Sequence, residues 1–273
     1  YISLQFDKQL LQRALVFALP TLPAILAGWL DSSMGQILIG KYVSVEDLGV
    51  YSIALSFASV FTLISTAFHN VWSPFLYENY SKPTFKQDIK KLFSIMALAL
   101  VMVSLFLSMF SKELVLLLSN EGYLDASRYV ALLCIPMCFY LMLPFASSGV
   151  SISRDTKYIG FSNVLGSCAN LLLLFLSIRV FGVIAVPLCL GISRITTYFI
   201  LYKVSERKLG YSLPNIYLLL VIVIAVLCYF IIVKNISILW RSFITLVIVL
   251  SIVIYMSKKH DLKSILSLFA KKH

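Results

Sequence analysis

The sequence predicts an all-α, polytopic membrane protein with about eight transmembrane helices. Three observations support this fold class: eight long apolar stretches, few charged residues, and connections that alternate between rich and poor in Lys and Arg. Each stretch reaches the ~20 residues needed to cross ~30 Å of hydrocarbon at ~1.5 Å per residue. The stretches cover roughly 11–39, 45–77, 86–110, 126–152, 158–178, 182–205, 214–233 and 237–256.

The basic residues predict the orientation. When the chain start and every second connection are assigned to one side, that side collects sixteen Lys and Arg residues and the other side six. The positive-inside rule places the rich side in the cytoplasm, so we expect both ends of this chain to be cytoplasmic. The rich side holds Lys8, Arg13, Lys82, Lys86, Lys90, Lys91, Arg154, Lys157, Lys203, Arg207, Lys208, Lys258, Lys259, Lys263, Lys271 and Lys272; the poor side holds Lys41, Lys112, Arg128, Arg179, Lys234 and Arg241.

Composition excludes other classes. The chain is 60% hydrophobic and 13% charged, whereas soluble domains are about one quarter charged. The net charge of +11 therefore reflects helix ends near anionic headgroups, and we expect no nucleic-acid partner. All five cysteines fall in apolar spans without an accompanying His or carboxylate. They are predicted to be small core hydrophobes, and we expect no disulfide, metal or cofactor.

Short connections leave no room for an inserted soluble domain. Ser44 with Asp47 and Thr84 with Gln87 have the spacing of a capping box before an apolar run. The segment 111–119 is too short to cross a membrane, and we expect a short amphiphilic helix at the outer surface. Residues 258–273 alternate basic and apolar side chains and are predicted to lie along the inner headgroups.

Three ionisable residues lie inside predicted spans: Asp31, His69 and Arg194. Such a group at the bilayer centre costs ~2.5–3.5 kcal/mol, so it usually lines a cavity or meets a partner. Arg194 follows Gly182 by twelve residues, which places it about 18 Å from the outer end of its helix. It is either a cation that faces a water-filled cavity to bind phosphate or carboxylate, or one half of a structural pair.

The other two ionisable residues have a favoured structural interpretation. Asp31 is expected near the outer end of the first span as an interfacial carboxylate, with a proton or sodium site as the functional alternative. His69 lies beside Asn70 and Trp72 near the inner end of the second span. A headgroup-level His in the aromatic belt is favoured there, and a proton relay is the alternative. Asp31 and His69 are therefore the candidates for ion coupling.

Two spans carry polar stripes. Asn163, Ser167 and Asn170 lie at i, i+4 and i+7 of the fifth span, where they either bond to a neighbouring helix or face water. Gly166 beside them allows close helix approach and favours the packing interpretation. The second span has a looser stripe of Ser52, Ser56, Ser59, Thr66 and Asn70. No Ser-His-Asp set, phosphate-binding loop or His–carboxylate pair accompanies them, so we expect no enzyme.

Four stretches of the sequence resemble the second half of bacterial polysaccharide flippases in the MATE-like superfamily of multidrug, oligosaccharidyl-lipid and polysaccharide exporters. They are 17–23 with its paired prolines, 46–54 with its acidic, Gly, Tyr, Ser opening, 72–75, and Asn170 followed by 181–185. One departure is Gly35–Gln36, where the family often shows Asp-Arg. Any role of that Arg cannot be transferred to this chain.

The resemblance implies two helical bundles related by a pseudo-two-fold axis, with a central cavity that opens alternately to each side. This chain would supply a six-helix lobe at 1–210, two additional helices at 211–257 and the basic amphipathic tail at 258–273. We expect the missing amino-terminal lobe to precede Tyr1, so that the chain is the carboxy-terminal portion of a longer transporter in the inner membrane.

The implied function is translocation of undecaprenyl-pyrophosphate-linked oligosaccharide repeat units for O-antigen or other surface polysaccharide. Arg194 would meet the pyrophosphate or an acidic sugar, and Asn163, Ser167 and Asn170 would line the substrate cavity. A cation or drug antiporter is a first alternative, although Asp31 is the sole carboxylate within a span interior. A membrane-embedded polymerase or acyltransferase is a second, without the long outer loop or surface His and Arg cluster such enzymes usually carry. A non-transporting scaffold is a third.

Overall fold

The computed structural model describes residues 22–155 and 157–259, together with positions 8 and 12. The described residues form helices and contain no strand, which confirms the all-α prediction. The α-helices are α1 (Leu22–Tyr42), α2 (Val45–Asn79), α3 (Phe85–Met109), α4 (Ser111–Leu118), α5 (Ala126–Ile152), α6 (Lys157–Phe181), α7 (Ala185–Leu209), α8 (Ile216–Val233) and α9 (Ile238–Lys259).

The chain is a polytopic membrane protein. Five helical segments of the described residues are long and apolar enough to cross a membrane, and one of them, Lys157–Leu209, contains both α6 and α7. Apart from α1 and the short α4, the helices begin and end within four residues of the predicted stretches. The first predicted stretch is described only from residue 22 onward. The division of the chain at residue 210 stays a prediction.

Local signals explain some of the helix ends. Ser44 Oγ accepts a hydrogen bond from the Asp47 amide at 2.9 Å and donates to its carboxylate at 2.8 Å, which confirms the first capping interaction. Thr84 makes no side-chain cap, so the second prediction is wrong. The reason is its backbone, which is already helical at φ −78° and ψ −13°, whereas a capping residue is usually extended. The short helix α4 is confirmed, and most of the predicted basic tail (260–273) lies outside the described residues.

α5 is the central helix. It packs against α2, α3, α7 and α8, and it is buried on nearly all sides. A helix that is apolar all round is expected in such a position. Phe145 of α5 stacks on Phe68 of α2, contacts the tilted ring of Trp72 and meets Phe93 of α3 edge-on. These aromatic contacts fix α2 and α3 to the central helix.

Five of the helices form a closed ring. α1 packs on α2, α2 on α5, α5 on α7, α7 on α6, and α6 returns to α1. The contact between α6 and α7 is close, because a Cβ added at Gly166 would lie 2.3 Å from Thr197 Oγ1. α5 approaches α7 as closely, since a Cβ at Gly149 would lie 2.7 Å from Ser205 Cα. α8 packs on α3 and α5, and α9 packs on α3.

Candidate functional site

The five-helix ring encloses a cavity of about 520 Å³. Each helix of the ring contributes to its wall. Five of the six candidate residues from the sequence line it, and His69 does not. The five are Asp31 of α1, Asn163, Ser167 and Asn170 of α6, and Arg194 of α7.

Asp31 and Arg194 form a buried ion pair in this wall. Arg194 Nη2 lies 2.9 Å from Asp31 Oδ2, and the side chains are 17% and 1% exposed. The guanidinium N–H is not directed at that oxygen, so the contact is an ion pair and not an aligned hydrogen bond. The other carboxylate oxygen of Asp31, Oδ1, accepts from Asn170 Nδ2 at 2.7 Å and, at a longer 3.4 Å, from Ser193 Oγ.

The pair lies near the middle of the helices. Asp31 is eleven residues before the end of α1 at Tyr42, and Arg194 is nine residues after the start of α7 at Ala185. At ~1.5 Å per residue both are about 14–17 Å from these ends. The interfacial interpretation of Asp31 is therefore wrong, because α1 continues past the predicted end of its span and its carboxylate is buried.

Arg194 also faces the cavity. Its guanidinium lies 5.0 Å from the centre of the Tyr140 ring, a cation–π distance. Within the described part of the chain, Asp31 is its ion-pair partner and no side chain takes its remaining N–H groups. An arginine has five N–H donors, so most of them are available to a molecule in the cavity. Arg194 thus forms a structural ion pair and also faces the cavity.

The polar residues of α6 line the cavity, and two of them also form hydrogen bonds to α1. Ser167 Oγ donates to the Ala27 carbonyl oxygen of α1 at 3.1 Å, and Asn170 binds Asp31. Asn170 is 2% exposed, and its amide oxygen accepts no hydrogen bond from any described residue. This oxygen is a fully buried acceptor without a donor among the described residues, a rare state in folded proteins.

His69 lies apart from Asp31, so the structure does not bring the two ion-coupling candidates together. Its side chain is exposed on α2, with its ring 6.4 Å from that of Phe68. Between positions 56 and 73 of α2, the exposed polar residues fall on one side of the helix at ~100° per residue. Thr62, which lines the cavity, lies on that same side. The side comprises Ser56, Ser59, Thr62, Thr66, His69, Asn70 and Ser73.

Arg241 is a buried cation that the sequence assigned to an outer connection. It is 5% exposed and lies 2.5 Å from Glu113 Oε1 of α4. It also donates to the Met109 carbonyl at 2.7 Å and to the Ile236 carbonyl at 3.1 Å. The pair joins α9 to the surface helix α4. Its one sequence signal is a basic residue placed within the first turn of an apolar helix.

Polar contacts outside the spans tie the connections together. Lys112 donates to Asn235, and burial, with Arg241 and Arg128 nearby, lowers the pKa of Lys112. At the other end of the bundle Lys208 donates to Asp155, and this hydrogen bond lowers the pKa of Asp155. Tyr211 bonds to Ser148, and burial raises the pKa of Tyr211 to about 12.

The cysteines are unpaired. Cys134, Cys138, Cys189 and Cys228 are buried as predicted, but Cys168 is exposed on α6, so the core assignment is wrong for that residue. No group of three or more His, Cys, Asp or Glu residues in the described ranges is arranged to hold a metal ion.

Fold and cavity define a multi-pass, all-helical membrane protein with a polar site in its interior. Residues 1–128, less than half of the chain, match a family model described as polysaccharide biosynthesis protein. The match supports a membrane protein with a role in polysaccharide biosynthesis. It includes Asp31 and ends before Asn163 and Arg194. No curated protein and no solved structure matches the chain.

Proposed function

We propose that this chain translocates undecaprenyl-pyrophosphate-linked oligosaccharide repeat units across the bacterial inner membrane, for O-antigen or other surface polysaccharide. In this proposal it is the carboxy-terminal portion of a MATE-like flippase, and both of its ends are cytoplasmic. The observation that carries the proposal is a polar cavity midway along the helices of a chain that partly matches polysaccharide biosynthesis proteins.

The polar side of α2 supports a water-filled passage next to the cavity. Polar side chains in contact with lipid are costly, so those inside membranes usually face protein or water. Ser59 and Thr66 donate to carbonyl oxygens of their own helix and leave hydroxyl oxygens open as acceptors. We infer that the missing amino-terminal lobe would face this side of α2. The passage would admit the sugars while the lipid tail stays in the bilayer.

The geometry favours transport over the alternative functions. An enzyme needs a nucleophile or a general base near its reacting atoms. Among the described residues of this cavity wall, the titratable ones besides Arg194 are two tyrosines and Asp31, an acid that is already paired with Arg194. A cation or drug antiporter needs a buried carboxylate that can accept a cation, and Arg194 already neutralises Asp31. Ion coupling through Asp31 would therefore require its ion pair with Arg194 to break. His69 lies on the polar side of α2, so it would exchange protons only with water on that side.

Depletion of the protein in the producing bacterium tests this function. We expect surface polysaccharide to disappear and lipid-linked oligosaccharide to accumulate in the cytoplasmic leaflet. Normal surface polysaccharide after depletion would contradict the proposal. Dye efflux measured in the same cells tests the antiporter, which predicts lower efflux with unchanged polysaccharide.

Cysteine labelling tests the orientation. Single cysteines at Lys86 and Lys258 should react with an impermeant reagent only from the cytoplasmic side, and one at Lys234 only from the outside. Labelling of positions 86 and 258 from opposite sides would overturn the topology.

A further inference from the structure

We propose that the cavity of the five-helix ring is an electrically neutral carbohydrate subsite, which holds sugar rings of the substrate and leaves the pyrophosphate outside. This inference rests on the proposed function, because it states which part of a lipid-linked oligosaccharide the cavity accepts. It also revises the role of Arg194, which would bind sugar hydroxyls and not phosphate.

The first argument for a neutral subsite is the charge of the cavity wall. Among the described residues that line the cavity, the charged ones are Asp31 and Arg194, which form an ion pair at 2.9 Å and neutralise each other. A pyrophosphate that enters would either bring negative charges without a cation or take Arg194 away from Asp31. Both outcomes leave a buried charge unpaired, which is strongly unfavourable in a low-dielectric interior. A neutral sugar has no such penalty.

The hydrogen-bond donors of Arg194 are the second argument. Its side chain is 17% exposed and lines the cavity, and no side chain among the described residues takes its remaining N–H groups. Asn170 Nδ2 donates to Asp31 Oδ1 at 2.7 Å and helps to hold the carboxylate in place. Sugar hydroxyls are neutral acceptors, so they can accept from Arg194 while its ion pair with Asp31 stays closed.

The third argument is the size of the cavity and the aromatic residue in its wall. The volume of about 520 Å³ lies within the range of roughly 300–1,000 Å³ for small-molecule sites. Tyr140 lines the cavity and is 42% exposed, so its ring offers an aromatic surface that suits the apolar face of a sugar ring. Gly28 also lines the cavity, and a Cβ built there meets no atom within 4 Å. A side chain at position 28 would therefore point into open space.

Site protection tests the subsite in the full-length protein in native membranes. Gly28→Cys, in a Cys168→Ala background, places a thiol at the cavity. Gly160→Cys is the matched control, because a Cβ there also meets no atom within 4 Å and the residue does not line the cavity. A small neutral thiol reagent is applied with either of two probes. One is inorganic pyrophosphate, and the other is the free oligosaccharide released by mild acid from the cell's own lipid-linked pool.

We expect the free oligosaccharide to slow the labelling of Gly28→Cys about tenfold and pyrophosphate to leave it unchanged. Neither probe should affect Gly160→Cys. Protection by pyrophosphate, or by neither probe, would overturn the proposal.

A second measurement is independent of the sugar's identity. Cationic and anionic thiol reagents of equal size should label Gly28→Cys at similar rates, each compared with its rate on a free thiol. A tenfold preference for the anionic reagent would show an unneutralised Arg194 and overturn the subsite. Asp31→Asn should create that preference, and Arg194→Gln should create the opposite one.

The two proposals fail separately. If protein depletion still traps lipid-linked oligosaccharide in the cytoplasmic leaflet but the sugar gives no protection, translocation stands and the subsite falls. If the sugar protects the thiol but depletion leaves surface polysaccharide normal, the cavity binds carbohydrate and the translocation proposal falls.

Discussion

Arg194 of α7 lies 2.9 Å from Asp31 of α1, and this pair closes the wall of the cavity between two helices that are far apart in sequence. Asn170 of α6 holds the same carboxylate at 2.7 Å. Three helices of the ring are thus joined at one buried carboxylate. Interhelical hydrogen bonds in membranes are individually worth only ~0.6–1.7 kcal/mol, and the ion pair adds a further polar contact between α1 and the rest of the ring.

The buried ion pair predicts that substitutions of Asp31 and Arg194 have non-additive effects on stability. Asp31→Asn and Arg194→Gln should each destabilise the purified protein by about 3–5 kcal/mol, because each leaves one buried charge without a partner. The double variant should be more stable than either single variant, since it contains no unpaired charge. Thermal unfolding in detergent and protein abundance in membranes measure this. Additive losses would show that the two residues act independently.

The close approach of α6 to α7 predicts the effect of one methyl group. Gly166→Ala should destabilise the protein by about 1–3 kcal/mol, because the new Cβ would lie 2.3 Å from Thr197 Oγ1. Gly160→Ala is the control on the same helix, where a Cβ meets no atom within 4 Å. It should be neutral or stabilise by up to ~1 kcal/mol through helix propensity. Equal melting temperatures of the two variants would contradict the helix contact.

The outer ion pair predicts a contrast between two arginines. Arg241→Gln should cost about 1–3 kcal/mol, because it leaves the carbonyl oxygens of Met109 and Ile236 without their donor. Arg128 pairs with Asp125 at 2.8 Å, but these side chains are 47% and 61% exposed. Arg128→Gln should therefore cost less than ~1 kcal/mol. The melting temperatures of the two variants test this contrast. A similar decrease in both would show that Arg241 is not buried.

The contact between Lys208 and Asp155 predicts a pH dependence with a defined sign. The hydrogen bond lowers the pKa of Asp155 below its usual 3.8. The carboxylate therefore stabilises the folded state above that pH, and the contribution disappears as the pH falls through the lowered pKa. Wild type should unfold at a higher temperature than Asp155→Asn near neutral pH, and the two curves should converge in acid. A constant difference at every pH would exclude this origin.

The sequence predicts the helices well because the membrane requires long apolar runs. The ends of α5 at Ala126 and Ile152 agree with the predicted stretch, and the cap of α2 at Ser44 was visible as a local motif. Thr84 shares the motif but not the backbone geometry, so the same spacing gave a wrong prediction there. Such signals depend on a few neighbouring residues, so they can be recognised from the sequence.

Pairings between helices could not be predicted in the same way. Asp31 is predicted near the interface because it lies about twenty residues into a span that begins near residue 11, whereas α1 continues for eleven residues beyond Asp31 to Tyr42. A few residues at a helix end decide the depth of a side chain. Arg241 and Glu113 are 128 positions apart, and no local pattern connects them. The residues chosen for the cavity did gather there, because polar side chains in apolar helices turn toward the interior. Their roles in transport stay predictions.

Transbilayer movement measured in proteoliposomes tests the central claim most directly. The purified full-length protein is reconstituted with undecaprenyl-pyrophosphate-linked oligosaccharide from its own bacterium, and a membrane-impermeant lectin reports the fraction in the outer leaflet. After the exposed molecules are removed, the account predicts that inner-leaflet oligosaccharide becomes accessible with the wild-type protein and far more slowly with Arg194→Gln. Equal rates in liposomes with and without the protein would contradict the account.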